Sequence, residues 1–192
     1  MSSRLIVSTL PPDDELEGWV TAEELAACRG FAPRRRRETL AWRAMVRREL
    51  GRDVAITYGA NGAPQVDCGA FISVSHSANL VAVRIGTAPC TVDTEPLVRN
   101  FERVRRRYMT RAEEALSDDR RLPAAVWCAK EALYKLAGRP DSDFLRDIAV
   151  TSVDFAAGTL RGTIHGSGEI ELTIEIHDNN IIVHGEADRQ EL

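Results

Sequence analysis

Asp93 and Glu95 stand two residues apart in the run Cys90-Thr91-Val92-Asp93-Thr94-Glu95-Pro96. A strand repeats every two residues, so both carboxylates face one side and can share a hard cation. A second set lies in Trp127-Cys128-Ala129-Lys130-Glu131-Ala132-Leu133-Tyr134-Lys135. On a helix its alanines and leucines face inward, and Trp127, Glu131, Tyr134 and Lys135 share a neighbouring face. On their own Glu131 and Lys135 also read as an exposed i,i+4 ion pair worth roughly a few tenths of a kcal/mol. The third set is Ser73-Val74-Ser75-His76-Ser77, the polar end of a strand where the chain turns. His76 alone reads equally as a structural hydrogen-bonder.

Arginine is clustered twice. Arg34 to Arg37, Arg43, Arg47, Arg48 and Arg52 form one group; Arg99, Arg103, Arg105, Arg106, Arg107 and Arg111 form the other. With a net charge of -4, two basic stripes point to local anion sites, or to solvated helix faces, rather than a surface that coats nucleic acid. The 192 residues, 44% hydrophobic and 28% charged, suit one sizeable domain or two small ones sharing a core. No stretch approaches the roughly 20 apolar residues that span a membrane. A soluble, unexported, cytoplasmic protein is expected, with no membrane and no nucleic-acid partner. Cys28, Cys68, Cys90 and Cys128 form no CxxC pair and are expected to be reduced, buried fillers.

The elements that must position these groups follow from caps and periodicity. Leu5 to Val7 reads as a strand, and Thr21-Ala22-Glu23-Glu24 as a capping box opening a helix that Gly30 ends. Pro33 starts a second helix running to about Leu50, with Leu40, Ala41, Ala44, Met45 and Leu50 on or near one face and arginine on the other. Strands are expected at Val54 to Tyr58, Phe71 to Ser75, Leu80 to Ile85 and up to Pro96, with a turn at Gly59-Ala60-Asn61-Gly62-Ala63-Pro64. A helix is expected from about Arg99 to Tyr108, with Phe101, Val104 and Tyr108 in register. Thr110-Arg111-Ala112-Glu113 is a second capping box, and Pro123 opens a helix closed by Gly138 and Pro140. Four strands follow, at about Ile148 to Phe155, Leu160 to His165, Glu169 to Ile176 and Ile181 to His184. In the third, Ile170, Leu172, Ile174 and Ile176 form the buried face.

The fold class is therefore α+β, pseudo-duplicated, with two similar halves each carrying helices packed on a small, mainly antiparallel sheet. The halves are 1–97, with the arginine helix, Ser-His-Ser and Asp-x-Glu, and 98–192, with the Trp-x-x-Lys-Glu-x-x-x-Lys helix and a sheet. A cleft between them is the natural place for a ligand.

The order and spacing of these three motifs resemble the 4'-phosphopantetheinyl transferase superfamily, in particular its monomeric, two-halved, surfactin-synthetase-activating type. The resemblance runs from the arginine-rich helix through Lys135. It implies transfer of the phosphopantetheine arm of coenzyme A to a serine of an acyl or peptidyl carrier protein, with Mg²⁺ or Mn²⁺ as cofactor and 3',5'-ADP released. It implies that Asp93, Glu95 and Glu131 bind the metal, and that Glu131, Asp93 and Lys135 form the catalytic set. The serine hydroxyl would be deprotonated by Glu131 or by a metal-bound water. His76, with Ser75 beside it, and Lys130 and Lys135 would contact the coenzyme, and Arg36, Arg37 and Arg43 would be candidates for its 3'-phosphate. The basic stripe from Arg99 to Arg111 would attract an acidic carrier.

Three positions depart from the family's usual pattern. Ala63 replaces a lysine in the Gly-Ala-Pro turn, Thr91 replaces a glycine and is expected to crowd the coenzyme, and Ala137-Gly138-Arg139 replaces a Lys-Gly pair. They sustain an alternative: a coenzyme A-binding regulatory or degenerate member with little turnover. An unrelated module docking nucleic acid on the arginine helix is a third reading, and predicts salt-sensitive, metal-independent binding.

Overall fold

A computed structural model describes residues 2–77 and 79–188; Met1, Ala78 and 189–192, the outer ends of the expected halves among them, lie outside it. The chain is α+β, as its sequence pattern indicates. The first sheet has the order β1 (Arg4–Thr9), β5 (Leu80–Gly86), β4 (Phe71–His76), every pair antiparallel. β2 (Ile56–Tyr58) and β3 (Pro64–Val66) make a hairpin around the Asn-Gly turn, and β3 is a strand the pattern did not disclose. The second sheet has the order β6 (Cys90–Pro96), β10 (Asn180–Glu186), β9 (Ile170–His177), β8 (Thr159–Ile164), β7 (Ile148–Asp154), also antiparallel. β6 precedes the expected boundary at 97, yet its ladder partner is β10.

α1 (Asp13–Leu16) is a single turn. α2 (Ala22–Ala27) and α4 (Arg111–Glu114) both start at complete capping boxes, on Thr21 with Glu24 and on Thr110 with Glu113. α3 (Pro33–Leu50) buries Leu40, Ala41, Ala44 and Met45 against Ile72, Val81, Val83 and Ile85 of the first sheet; Leu50 is only partly covered. α5 (Leu122–Ala137) buries Ala125, Ala129, Ala132 and Leu133 on the second sheet. It lies so close that a β-carbon on Gly162 would meet Leu133 at 2.6 Å. Gly138, left-handed at φ 61°, caps its end. A third, smaller core of Leu80, Ala82, Val92 and Ile182 joins the backs of the two sheets.

The arginines of α3 mostly staple the N-terminal segment. Arg47, 4% exposed, holds Glu24 through two bonds of 2.7 and 3.0 Å and donates to Trp19 O and Val54 O. Arg48 donates to Glu15 O and Arg52 to Gly18 O, both over the Trp19 ring.

Some expectations are corrected. Residues 99–108 form a chain of tight turns with one 3-10 turn, Arg105–Arg107, rather than a helix. Their bonds run Arg99 N to Pro96 O, Val104 N to Phe101 O and Arg107 N to Val104 O. On a helix Arg99 and Arg103, and Arg103 with Arg106 and Arg107, would stand three and four apart and repel one another, and the turns let Phe101 and Tyr108 both reach the core. Ile176 is 44% exposed although it follows the alternation. Cys68 is exposed rather than buried, and all four cysteines are free. Among the described residues no helix is long and apolar enough to cross a membrane.

Candidate active site

β6 and α5 bring the carboxylates together. Asp93 and Glu95 point from β6 toward α5, and Glu131 sits in the α5 turn ahead of Lys135. Burial, followed by repulsion from Asp93 and then Glu95, pushes the Glu131 carboxyl above its ordinary pKa. Burial likewise raises Glu95, opposed by Arg99 and reinforced by Asp93. The three charges therefore crowd one another in a poorly solvated place, which a cation would relieve.

Asp93 is 7% exposed. Its Oδ1 accepts from Lys135 Nζ and from Ser75 Oγ, each at 2.9 Å, while its buried Oδ2 has no hydrogen-bond partner. The buried thiol of Cys128, a weak donor, neighbours this carboxylate; burial, then the Asp93 and Glu95 charges, raise its pKa. Glu95 Oε1 accepts from Arg99 and from Trp127 Nε1, the latter at 3.1 Å. Trp127 is held edge-on by Tyr108 and Phe144, and Arg99 lies over its ring at 4.7 Å. Arg99 and Trp127 are the groups that orient Glu95, and the sequence marks them only by spacing: four residues after Glu95 and four before Glu131.

Lys135 does not pair with Glu131 as an i,i+4 bridge. Its ammonium donates to Asp93 Oδ1, to Val92 O at 2.7 Å and to Val74 O at 3.4 Å, pinning β4 to β6. All three of its N–H groups are engaged. The serines of the Ser-x-Ser motif work in the same seam: Ser73 Oγ receives Val92 N and Ser75 Oγ receives Thr94 N. Ser75, expected beside the coenzyme, is thus a buried bridge that sets Asp93.

Lys130, expected to contact the coenzyme, is fully buried, with its ammonium 2.8 Å from Glu113 Oε1 and 2.5 Å from Phe144 O. It has no surface to offer a ligand. Thr91 is also fully buried, its hydroxyl on Ala132 O at 2.7 Å, so it ties β6 to α5 and crowds nothing at the surface.

His76 is about half exposed, with Nδ1 3.5 Å from Glu38, which also pairs with Arg34 at 2.6 Å. Arg36 is held by Asp13 at 3.2 Å. Arg43 is fixed by Glu24, Thr39 O and Tyr58 Oη. Arg37 is exposed, and no ion pair holds it among the described residues. The structure therefore brings Asp93, Glu95, Glu131 and Lys135 together and leaves His76 and Arg37 open on the first half.

An all-oxygen set with an orphaned buried carboxylate oxygen fits a hard cation. As the side chains stand, however, no group of three His, Cys, Asp or Glu residues among those described forms a ready cage.

Residues 89–183 match the 4'-phosphopantetheinyl transferase superfamily. The match begins at β6, takes in α5 and ends within β10, so it coincides with the unit that carries the three carboxylates. The reaction type of the superfamily matched is phosphopantetheinyl transfer. No curated protein matches the chain.

Proposed function

We propose that the protein transfers 4'-phosphopantetheine from coenzyme A to a serine of an apo acyl or peptidyl carrier protein, releasing 3',5'-ADP. The observations that carry this are the mutual repulsion of Asp93, Glu95 and Glu131 and the unpartnered, buried Oδ2 of Asp93, all within the matched stretch. Phosphoryl transfer asks a protein chiefly to position reactants and neutralise charge. A Mg²⁺ or Mn²⁺ ion held by Asp93, Glu95 and Glu131 would supply that neutralisation at the diphosphate when bound.

The remaining work belongs to the chain. Lys135 and Ser75 fix Asp93, and Trp127 and Arg99 fix Glu95. Glu131, raised by its surroundings, is suited to take the serine proton. The serine oxygen then bonds the pantetheine-side phosphorus as the bond to the ADP oxygen breaks. His76 and Arg37 would meet the coenzyme's outer phosphates. One long helix on an antiparallel sheet in each half, α3 and α5, supports the pseudo-duplicated, monomeric reading.

The test is intact mass spectrometry of a panel of apo carrier proteins with coenzyme A and Mg²⁺. A phosphopantetheine mass gain that EDTA and Asp93→Ala both abolish supports the proposal. If no carrier gains mass while coenzyme A binds, the binding-subunit alternative stands instead.

The basic stripe should serve the carrier, not the coenzyme. Arg105 is tied to Glu102 and Glu114, both at 3.0 Å, whereas Arg103, Arg106 and Arg107 are exposed, as is Val98 at 79%. Reversing Arg106 and Arg107 to Glu is expected to raise the carrier KM about tenfold or more at low salt, with a smaller effect as salt screens the attraction. An unchanged KM would remove the stripe from docking.

A further inference from the structure

Asn180, the first residue of β10, is 2% exposed, and its amide is bonded on every side. Its Nδ2 donates to His177 O at 3.3 Å and to Asp178 O at 3.0 Å, and its Oδ1 accepts from Ser77 Oγ at 2.7 Å. The first two bonds hold the amide to its own hairpin. Asp178 and Asn179, the central pair of that hairpin, have φ of 44° and 64°, the left-handed values of a tight two-residue turn, which Asp and Asn tolerate. The third bond leaves the hairpin and reaches the first half of the chain.

Ser77 is held as firmly. It is 5% exposed, its N–H donates to Leu80 O at 2.9 Å, and its carbonyl accepts from Arg34 Nη2 at 3.3 Å. Arg34 in turn pairs with Glu38, the side chain that His76 meets. The hairpin also grips the chain just past Glu95: Asn180 stands opposite Pro96 in the ladder, and Leu97 N donates to Asn179 O at 2.9 Å. One turn thus touches the end of β4, which carries His76, and the end of β6, which carries Glu95.

We propose that Asn180 is a positioning residue for the transfer reaction: through its bond to Ser77 it sets where His76 stands relative to the carboxylates. The inference rests on the coenzyme A reading above, in which His76 meets an outer phosphate of the coenzyme. β4 and β6 lie in different sheets, so no ladder fixes the distance between them. The bonds from Ser73, Ser75 and Lys135 tie the two strands as far as Ser75. His76 comes next, and the Ser77 bond to Asn180 ties the chain again on its other side. The imidazole, half exposed and in contact with Glu38 alone among the described residues, takes its place from these two ties. Without the second, it hangs from the second half by one side only.

Steady-state transfer to a carrier protein, followed by mass gain, tests this. Ser77→Ala and Asn180→Ala are each expected to raise the coenzyme A KM about three- to tenfold, the worth of one neutral hydrogen bond, with kcat little changed. Combined, they should do no more than either alone, because both break the same bond, and Ser77→Thr, which keeps a hydroxyl, should recover part of the loss. In a His76→Ala background, Ser77→Ala should add nothing. Ser77→Ala removes a single atom, so it carries the test even if Asn180→Ala fails to fold. An unchanged KM in Ser77→Ala would overturn the proposal. A rise of full size in the His76→Ala background would also overturn it, by making the bond a general structural tie. If wild type neither binds coenzyme A nor transfers, the coenzyme A reading itself fails and takes this inference with it.

Discussion

Glu131→Gln is expected to lower transfer at least about a hundredfold, the low end of what a positioned general base contributes, while leaving the protein as stable as wild type or more so. The two effects have opposite signs for one reason. Burial and the Asp93 and Glu95 charges make the Glu131 carboxylate costly in the folded state, so removing its charge relieves repulsion. On the proposed mechanism the same charge would accept the serine proton and complete the set of oxygen donors. Turnover by carrier mass gain and a thermal melt of the same sample check both halves. Retained turnover would move the base role elsewhere, and a large drop in Tm would make Glu131 a structural residue.

The second large effect concerns folding alone. Glu113 is 2% exposed and satisfies four donors: Lys130 Nζ, Val150 N at 2.9 Å, and Thr110 N and Oγ1 at 2.8 and 3.0 Å. Among the described residues Lys130 bonds only Glu113 and Phe144 O, and burial holds its pKa below the ordinary lysine value. Glu113→Leu therefore strands a buried ammonium, two backbone N–H groups and a hydroxyl. It should cost about 3–5 kcal/mol, a fall in Tm of roughly 10 °C or more for a chain this size. Lys130→Met removes the ammonium itself and leaves Glu113 its three remaining donors, so it should cost clearly less. Differential scanning calorimetry of the pair decides it. Equal losses would mean that the ion pair, rather than the wider network at Glu113, carries the stability.

Caps and alternation made most of the fold legible. The capping boxes at Thr21 and Thr110, Pro33 at the start of α3 and Gly138 at the end of α5 all act locally, and the sequence states them outright. Residues 99–108 were misleading because Phe101, Val104 and Tyr108 have helical spacing, whereas tertiary burial and crowded arginine charge decide the conformation. The carboxylates Asp93, Glu95 and Glu131 were legible because their spacing reflects the faces of one strand and one helix. Which polar group each neighbour touches was not. Ser75, Thr91, Lys130 and Lys135 carry residue types suited to a ligand, yet each spends its hydrogen bonds on protein atoms brought from distant parts of the chain. Of the arginines, the helix period of α3 cannot separate Arg47, a buried clamp, from Arg37, an open cation.

The seam between β4 and β6 has a further consequence. β6 is the outermost strand of its sheet, and β4 covers its free edge, so amides left bare there would be buried without partners. Here the amides of Val92 and Thr94 are taken by the hydroxyls of Ser73 and Ser75. The serines thus satisfy a covered edge with side chains while Ser75 also aims Asp93. Chemistry and folding are therefore coupled at two small residues, and a lineage that loses them strands two buried amides at the same step as it loses its aligned carboxylate.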